Sequence, residues 1–374
     1  MHDCLIIGGG VVGLSLAWEL ARGGMAVRVI DRGLPGQEAS WAGAGILPPG
    51  SRAAALHSYD RLRALSSDLH AEWAKRLLAE TGIDNGYRKC GGIYLARTVG
   101  EAAALAAWAH TTSTEGIAVE LLTSAMLEQC EPDLAARVAP SGRPIGFQSA
   151  VRLPDEAQIR NPRHLQALLS ACRNAGVAVS AHLAATGFLQ RGERLEAVET
   201  TAGPLRAKSY CFTSGAWTGQ LLARLGIAAG ILPIRGQMVL LQCAKPPLTH
   251  VVNEGSRYIV PRDDGFVLVG STEEEAGFDK RTTEGAVADL LDFARALVPA
   301  LSDAPVVSTW AGLRPATLDG MPYMGPLPGF ANAFIAAGHF RSGLHLSPGN
   351  AVVMSQLIRG EPPAIDLAPF RIGR

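Results

Sequence analysis

Asp3-Cys4-Leu5-Ile6-Ile7-Gly8-Gly9-Gly10-Val11-Val12-Gly13 decides the architecture of this 374-residue chain. A short apolar run enters a G-x-G-x-x-G turn built on Gly8, Gly10 and Gly13. Residues 14–23 (LSLAWELARG) continue as a helix that stops at a glycine. Strand, glycine turn and helix in that order open a dinucleotide-binding βαβ unit. Gly8 permits the tight turn, Gly10 lets backbone approach a pyrophosphate, and Gly13 lets the helix pack closely on the strand. The pyrophosphate is then held by backbone N–H groups at the positive helix end. Residues 26–30 (AVRVI) predict a second strand. Asp31 ends it, where an acidic side chain reaches the ribose hydroxyls of an adenosine.

Composition narrows the class. The chain is too long for one ordinary core, so two domains are expected. Its 34 Lys and Arg balance 34 Asp and Glu, which argues against a nucleic-acid or membrane-surface binder. No run of about 18 apolar residues predicts a membrane-spanning helix. The first apolar run has no basic segment before it and leads straight into the glycine turn, so it reads as a core strand, not a signal peptide. Cys4, Cys90, Cys130, Cys172, Cys211 and Cys243 are scattered without a C-x-x-C. Buried thiols in a reducing cytoplasm are expected, not a disulfide framework or a zinc site. The histidines show no metal-binding spacing.

Helices are expected over 53–80, 101–116, 161–176, 284–298 and from about 349 to 359. The third is read with Asn161 as its cap and Pro162 in its first turn. Strands are expected over 177–179, 237–242 and 334–337, residues 210–217 read as a buried strand opening into a helix at a glycine, and hairpin turns are expected at Arg191-Gly192-Glu193 and Asp263-Asp264-Gly265. The expected class is α/β, α+β overall. It comprises a Rossmann-like nucleotide domain (1–85, 150–220 and 305–374) and an antiparallel-sheet substrate domain (86–149 and 221–304), so the chain crosses between them more than once.

NAD and FAD both fit the first motif, and three features favour FAD. The fingerprint stands at the extreme N-terminus and does not recur convincingly. The small-residue run 39–46, including Ser40, Gly43, Ala44, Gly45 and Ile46, lets backbone pass close to a large planar group. Gly338-His339-Phe340-Arg341-Ser342-Gly343-Leu344 precedes a helix, whose positive end could stabilise negative charge on a reduced flavin.

Four stretches then carry a resemblance: 38–46 (EASWAGAGI), 258–262 (YIVPR), 310–315 (WAGLRP) and 338–344 (GHFRSGL). The chain resembles the FAD-dependent amine oxidases of the D-amino acid oxidase superfamily, and among them the glycine oxidases of thiamine biosynthesis. The resemblance runs from Cys4 to about Phe370. It implies a non-covalent FAD and oxidation of a small amine or amino acid such as glycine, sarcosine or a D-amino acid. It further implies an imine product, O2 reduced to hydrogen peroxide, and a homotetramer. The imine either hydrolyses or serves thiazole synthesis. A flavin dehydrogenase with another electron acceptor, an NAD(P)-dependent dehydrogenase and a catalytically silent nucleotide-binding protein are the competing readings.

An amino-acid substrate needs its carboxylate anchored and its Cα–H aimed at flavin N5. Arg314 is the expected anchor, because a guanidinium makes a bidentate pair with a carboxylate and an unpaired charge is costly in so apolar a stretch. The resemblance assigns the hydroxyl of Tyr258 to the same carboxylate and Arg341 to substrate or cofactor. It places Val11, Val12, Asp31 and Arg32 at the adenosine end, and Ser40, Gly43, Ala44, Gly45 and Ile46 along the pyrophosphate and ring. Ala185 falls on the adenine side, and the loop from His339 to His345 under the flavin. His339 reads as a loop residue, not a base. No protein nucleophile is needed: a neutral amine assists hydride transfer while the protein supplies position and electrostatics. Glu273 departs from the family pattern, in which this position is often apolar; it reads as a solvated strand-end carboxylate that could instead alter which side chains are accepted.

Overall fold

The computed structural model describes residues 1–53, 55–134, 137–138 and 144–374. Strand His2–Ile7 feeds helix Val11–Arg22 through the glycine turn, and the chain returns as strand Val27–Ile30. These strands sit inside a six-stranded sheet. Its order is Ala178–Ser180, Val27–Ile30, His2–Ile7, Ala207–Phe212, Ala333–Ala337, Tyr323–Pro326. All neighbours run parallel except the last pair. Alternation explains why the first strand is apolar throughout. Cys4 and Ile6 pack into one layer with Leu14, Trp18 and Met354, whereas Leu5 and Ile7 pack into the opposite layer with Tyr210 and Phe212.

The second sheet has eight strands in the order Val306–Thr317, Ile231–Gln242, Phe266–Gly270, Arg257–Pro261, Val251–Glu254, Gly92–Ala96, Ser149–Leu153, Glu120–Leu122. It is antiparallel except where Val251–Glu254 lies parallel to Gly92–Ala96. Ile259, Val267 and Val269 face helix Glu284–Leu297 through Phe293 and Leu297. The alternate residues Tyr258, Val260 and Leu268 face the other way with Met238 and Ala44. That second face looks onto the nucleotide-binding unit. The fold is thus α/β with a Rossmann-like sheet and a second, largely antiparallel sheet, as expected.

Several expectations need correction. The last helix spans Gly343–Ile358, starting well before residue 349, with Pro348 inside it. Pro348 lacks the N–H that would reach the carbonyl of Leu344, and the Ser347 hydroxyl donates to that carbonyl instead at 2.9 Å. Asn161 is the first residue of helix Asn161–Asn174, with Arg160 at the cap position; its side chain donates to the Ser40 carbonyl at 2.7 Å. The helix expected over 53–80 is Ser58–Thr81, closed by Gly82 at φ 71°; residue 54 lies outside the described residues. Strand Val306–Thr317 was not foreseen, because Gly312 and Pro315 interrupt its pattern; at the edge of a sheet a proline is tolerated. That strand and Ser149–Leu153 pair into the eight-stranded sheet, although residues 306–317 and 150–153 fall in the 305–374 and 150–220 segments read as nucleotide-binding. Residues 135–136 and 139–143 of the 86–149 segment lie outside the described residues. Cys4, Cys172 and Cys211 are buried free thiols, whereas Cys90, Cys130 and Cys243 are only partly buried.

Candidate functional site

A cavity of about 550 Å³ runs between the two sheets. At one end lies the glycine turn. Gly8 adopts φ 116°, and a Cβ there would fall 2.6 Å from the Thr213 carbonyl oxygen. Gly13 does not line the cavity. A Cβ on it would stand 2.0 Å from the Gly8 carbonyl oxygen, so its part is the close packing of helix on turn. The Asp31 carboxylate accepts from the N–H groups of Gly9 and Gly33, both at 2.8 Å. The Val11 N–H donates to Ser40 Oγ at 2.9 Å. Arg32 stacks on Trp217, 3.6 Å from the ring centroid, and pairs with Glu38. Val12 and Ala185 also line this end.

The small residues Gly43, Ala44, Gly45 and Ile46 line the middle. Gly45, at φ 74°, leaves no room for a side chain, since its Cβ would fall 1.9 Å from the Ile159 carbonyl oxygen. Buried Arg262 pins the segment by donating to the Ala44 carbonyl at 2.7 Å and to Gln158 at 2.6 Å. Burial pushes the pKa of Arg262 down to about 10.

The far end is the loop from Gly338 to His345. Gly338 and Phe340 adopt φ values of 82° and 47°, and the Phe340 N–H donates to the Pro315 carbonyl at 2.8 Å. A left-handed phenylalanine is strained, and such strain gathers at functional loops. His339 is buried against Asn350, 3.3 Å away, and burial pushes its pKa down to about 4. His345 contacts the Ser67 hydroxyl at 3.2 Å and is pushed to about 3. Both imidazoles are neutral at pH 7, so neither supplies fixed positive charge. Helices Val11–Arg22 and Gly343–Ile358 both begin on this cavity, with no acidic residue in the first turn and no side-chain cap. Apart from the Val11 N–H, which Ser40 accepts, their first-turn N–H groups give it a positive end at each extreme.

The front of the antiparallel sheet forms the remaining wall. Tyr258 is buried, its hydroxyl 3.5 Å from Met238 Sδ. The side chain of Arg314 lies over Gly236, where a Cβ would fall 2.2 Å from Nη2. Its guanidinium donates to the Thr272 carbonyl at 3.1 Å and to Ser271 Oγ at 2.6 Å. Among the described residues no carboxylate lies within 4 Å of it. Burial is the main force lowering its pKa, with Tyr258 opposing that and Arg341 adding to it. Arg341 is half exposed at the mouth. It contacts Glu273 at 3.4 Å and the Ser256 carbonyl at 3.2 Å. Glu273 is exposed, as a solvated strand-end carboxylate should be, and does not line the cavity; it pairs with Arg341 at the surface.

Residues 3–357 match the family described as DAO, FAD dependent oxidoreductase. This chain belongs to that family. A glycine oxidase of Pseudomonas aeruginosa is 37% identical over 369 residues, spanning 98% of this chain and 97% of that protein. The bifunctional protein ThiO/ThiG of Trichormus variabilis is 31% identical over 373 residues, spanning 96% of this chain and 52% of that protein. The crystal structure of glycine oxidase from Geobacillus kaustophilus superposes with a TM-score of 0.93 at 33% identity, covering 100% of this chain and 98% of that one.

The cofactor is FAD, and the cavity suits it. The side-chain-free turn at Gly8 and Gly10 and the uncapped helix at Val11 form an anion cradle. Asp31 retains acceptor capacity beyond its two amide bonds. The second helix end, at Gly343, would offer dipole charge to an electron-rich group bound in the cavity. Among the described residues no helix is long and apolar enough to cross a membrane.

Sequence reasoning passed over Met238, Trp217, Tyr94 and Asn253, all of which line the cavity. Tyr94 and Asn253 sit on the short strands Gly92–Ala96 and Val251–Glu254. Their place on the cavity follows from strand pairing, which leaves no signal within either short strand.

Proposed function

We propose that this enzyme oxidises glycine or another small primary or secondary amino acid, such as sarcosine or a D-amino acid, to the imine. The observation that carries the reading is Arg314: a part-buried guanidinium facing a cavity, held by two neutral oxygens and, among the described residues, by no carboxylate. A part-buried cation so under-paired fits a ligand carboxylate, which it can meet with two parallel charge-assisted bonds. Held non-covalently in this cavity, FAD would supply two-electron redox chemistry, with hydride transfer from the substrate and O2 reduced to hydrogen peroxide.

The protein's own part is placement. Arg314 and the Tyr258 hydroxyl hold the carboxylate, which leaves the amine and the Cα–H to face the cavity interior. Arg341 guards the mouth and exchanges Glu273 for substrate on entry. The neutral imidazoles of His339 and His345 pack the loop without competing for the substrate's charge. The family resemblance supports a homotetramer, a cytoplasmic location and delivery of the imine to thiazole synthesis. The segments 1–85, 150–220 and 305–374 against 86–149 and 221–304 remain our proposed division, with residues 150–153 and 306–317 moved to the substrate side.

The test is oxygen uptake and peroxide release by the purified yellow protein on glycine, sarcosine, D-alanine and D-proline. A fast dye-reduction signal without oxygen uptake would replace the oxidase by a dehydrogenase. Inertness toward all four amines by both assays would remove the proposal.

A further inference from the structure

Glu156 is a completely buried carboxyl beside the cavity. It has no role in the anchoring just described. The Tyr94 hydroxyl donates to its Oε2 at 2.5 Å. The carboxyl presses on the bare backbone of Gly92, where a Cβ would fall 2.0 Å from Oε1. The strands set the direction of this pair. Tyr94 pairs in register with Asn253, and Asn253 with Tyr258. Cross-strand partners share a face, so Tyr94, Asn253 and Tyr258 form one row on the cavity side. At about 4.8 Å per strand, Tyr94 stands roughly 10 Å along the sheet from Tyr258. That is one small amino acid plus a water away from the carboxylate anchor.

We infer that Tyr94 and Glu156 form the proton acceptor that neutralises the substrate ammonium before oxidation. The inference rests on the amine-oxidase reading above. An amino acid reaches the cavity as a zwitterion, and its nitrogen lone pair must be freed. The ammonium gives a proton to Tyr94 Oη, directly or through a water, as the phenolic proton passes to Glu156 Oε2. The amine is left neutral, Tyr94 unchanged and Glu156 protonated, with no oxidant consumed. Tyr94 also faces a second cavity of about 780 Å³, lined by Arg63, Trp108 and Glu115, which offers the return path to solvent.

The local electrostatics suit the task. Burial pushes the Glu156 carboxyl up to about 7, opposed by Tyr94 and Asn253, so its anion takes up a proton near neutral pH. The phenol of Tyr94 is held well above its ordinary range by burial and by Glu156, and therefore relays a proton but does not store one. The other titratable or charged groups around the pair are Cys90 and, beyond the phenol, Arg63. His250, across Gly91, is engaged by Glu131 at 2.6 Å.

The experiment is anaerobic flavin bleaching by saturating glycine, followed from pH 5.5 to 10 in the holoenzyme and in Glu156→Gln and Tyr94→Phe. The wild-type rate is expected to fall about tenfold per pH unit below an apparent pKa near 7. Both variants should lose roughly 100-fold at pH 7.5 and recover above pH 9, where glycine itself begins to lose its proton. Binding of glycolate, which has the carboxylate but no amine, should stay within about threefold of wild type. Should Glu156→Gln fail to retain flavin, Tyr94→Phe carries the same expectation alone. Variants that keep the wild-type rate and acid limb overturn the proton role while leaving amine oxidation standing. A wild-type enzyme that bleaches with no amine at any pH removes both.

Discussion

Replacing Arg314 by leucine should separate function from stability. On the functional side, the substrate carboxylate loses two charge-assisted hydrogen bonds. At about 1.5–3 kcal/mol each, this costs roughly 3–6 kcal/mol of transition-state binding, or about 10²–10⁴-fold in kcat/KM. On the structural side the guanidinium has little to lose. It donates to two neutral oxygens, Thr272 O and Ser271 Oγ, and burial already works against its charge. Leaving those acceptors without a donor costs about 1–3 kcal/mol, offset by removal of a poorly paired, part-buried cation. The net change in stability should be within about 2 kcal/mol, a few degrees in Tm at most. Arg314→Lys keeps the charge but not the fork and should recover only part of the activity. The assay is peroxide release on glycine beside a scan of thermal unfolding. The reasoning fails if KM for glycine is unchanged. It fails equally if Tm collapses, which would make Arg314 a structural cation.

Gly8→Ala should strip flavin from the purified protein, read as lost absorbance near 450 nm, because φ 116° and a 2.6 Å approach to Thr213 O forbid a Cβ. Arg341→Ala should release Glu273 and raise KM for glycine several-fold with kcat little changed; a loss confined to kcat would place Arg341 at the chemistry instead. Burial holds His70 and His339 near 4, and His164 and His345 near 3, against 6.5 for an exposed imidazole. The unfolded chain therefore takes up protons first as pH falls. Stability present above pH 6.5 should drain away toward pH 4, by up to about 1.4 kcal/mol per pH unit for each histidine. Denaturant midpoints that stay flat between pH 7 and 5 would contradict this. Glu156 has the opposite sign: its folded value near 7 exceeds the ordinary 4.5, so its contribution is complete below pH 4.5 and is lost as pH rises through 7. Glu156→Gln should thus gain on wild type across that window, by at most about 3 kcal/mol.

Legibility followed local pattern. The turn at Gly8, Gly10 and Gly13 was readable because backbone geometry alone dictates its residues. The hairpin around Asp263-Asp264-Gly265 was readable for the same reason. Arg314 was readable as a charge in apolar surroundings, though the strand that carries it was not, since Gly312 and Pro315 break the alternation that marks a strand. The early start of the last helix was hidden by Pro348, whose missing N–H is compensated by the preceding serine, a repair visible only in three dimensions. Tyr94 and Asn253 escaped notice because their meaning lies in register: nothing within either short strand says that the two stand side by side.

The same long-range bonding couples the proposed anchor to the loop from Gly338 to His345. Arg314 precedes Pro315, whose carbonyl receives the Phe340 N–H, and Ala316 bridges to His339. The strained turn at Phe340 is thereby tied to the strand that aims the guanidinium. Tyr258 reaches the same point from the opposite side of Gly236 and Gly270, two glycines whose missing side chains leave room for Arg314 and for Met238. On the proposed reading, a carboxylate seated there would be positioned relative to the helix end at Gly343 by these hydrogen bonds and by sheet register. Side chains added at Gly236 or Gly270 should therefore disturb alignment more than affinity. The expected signature is a fall in kcat that exceeds any rise in KM.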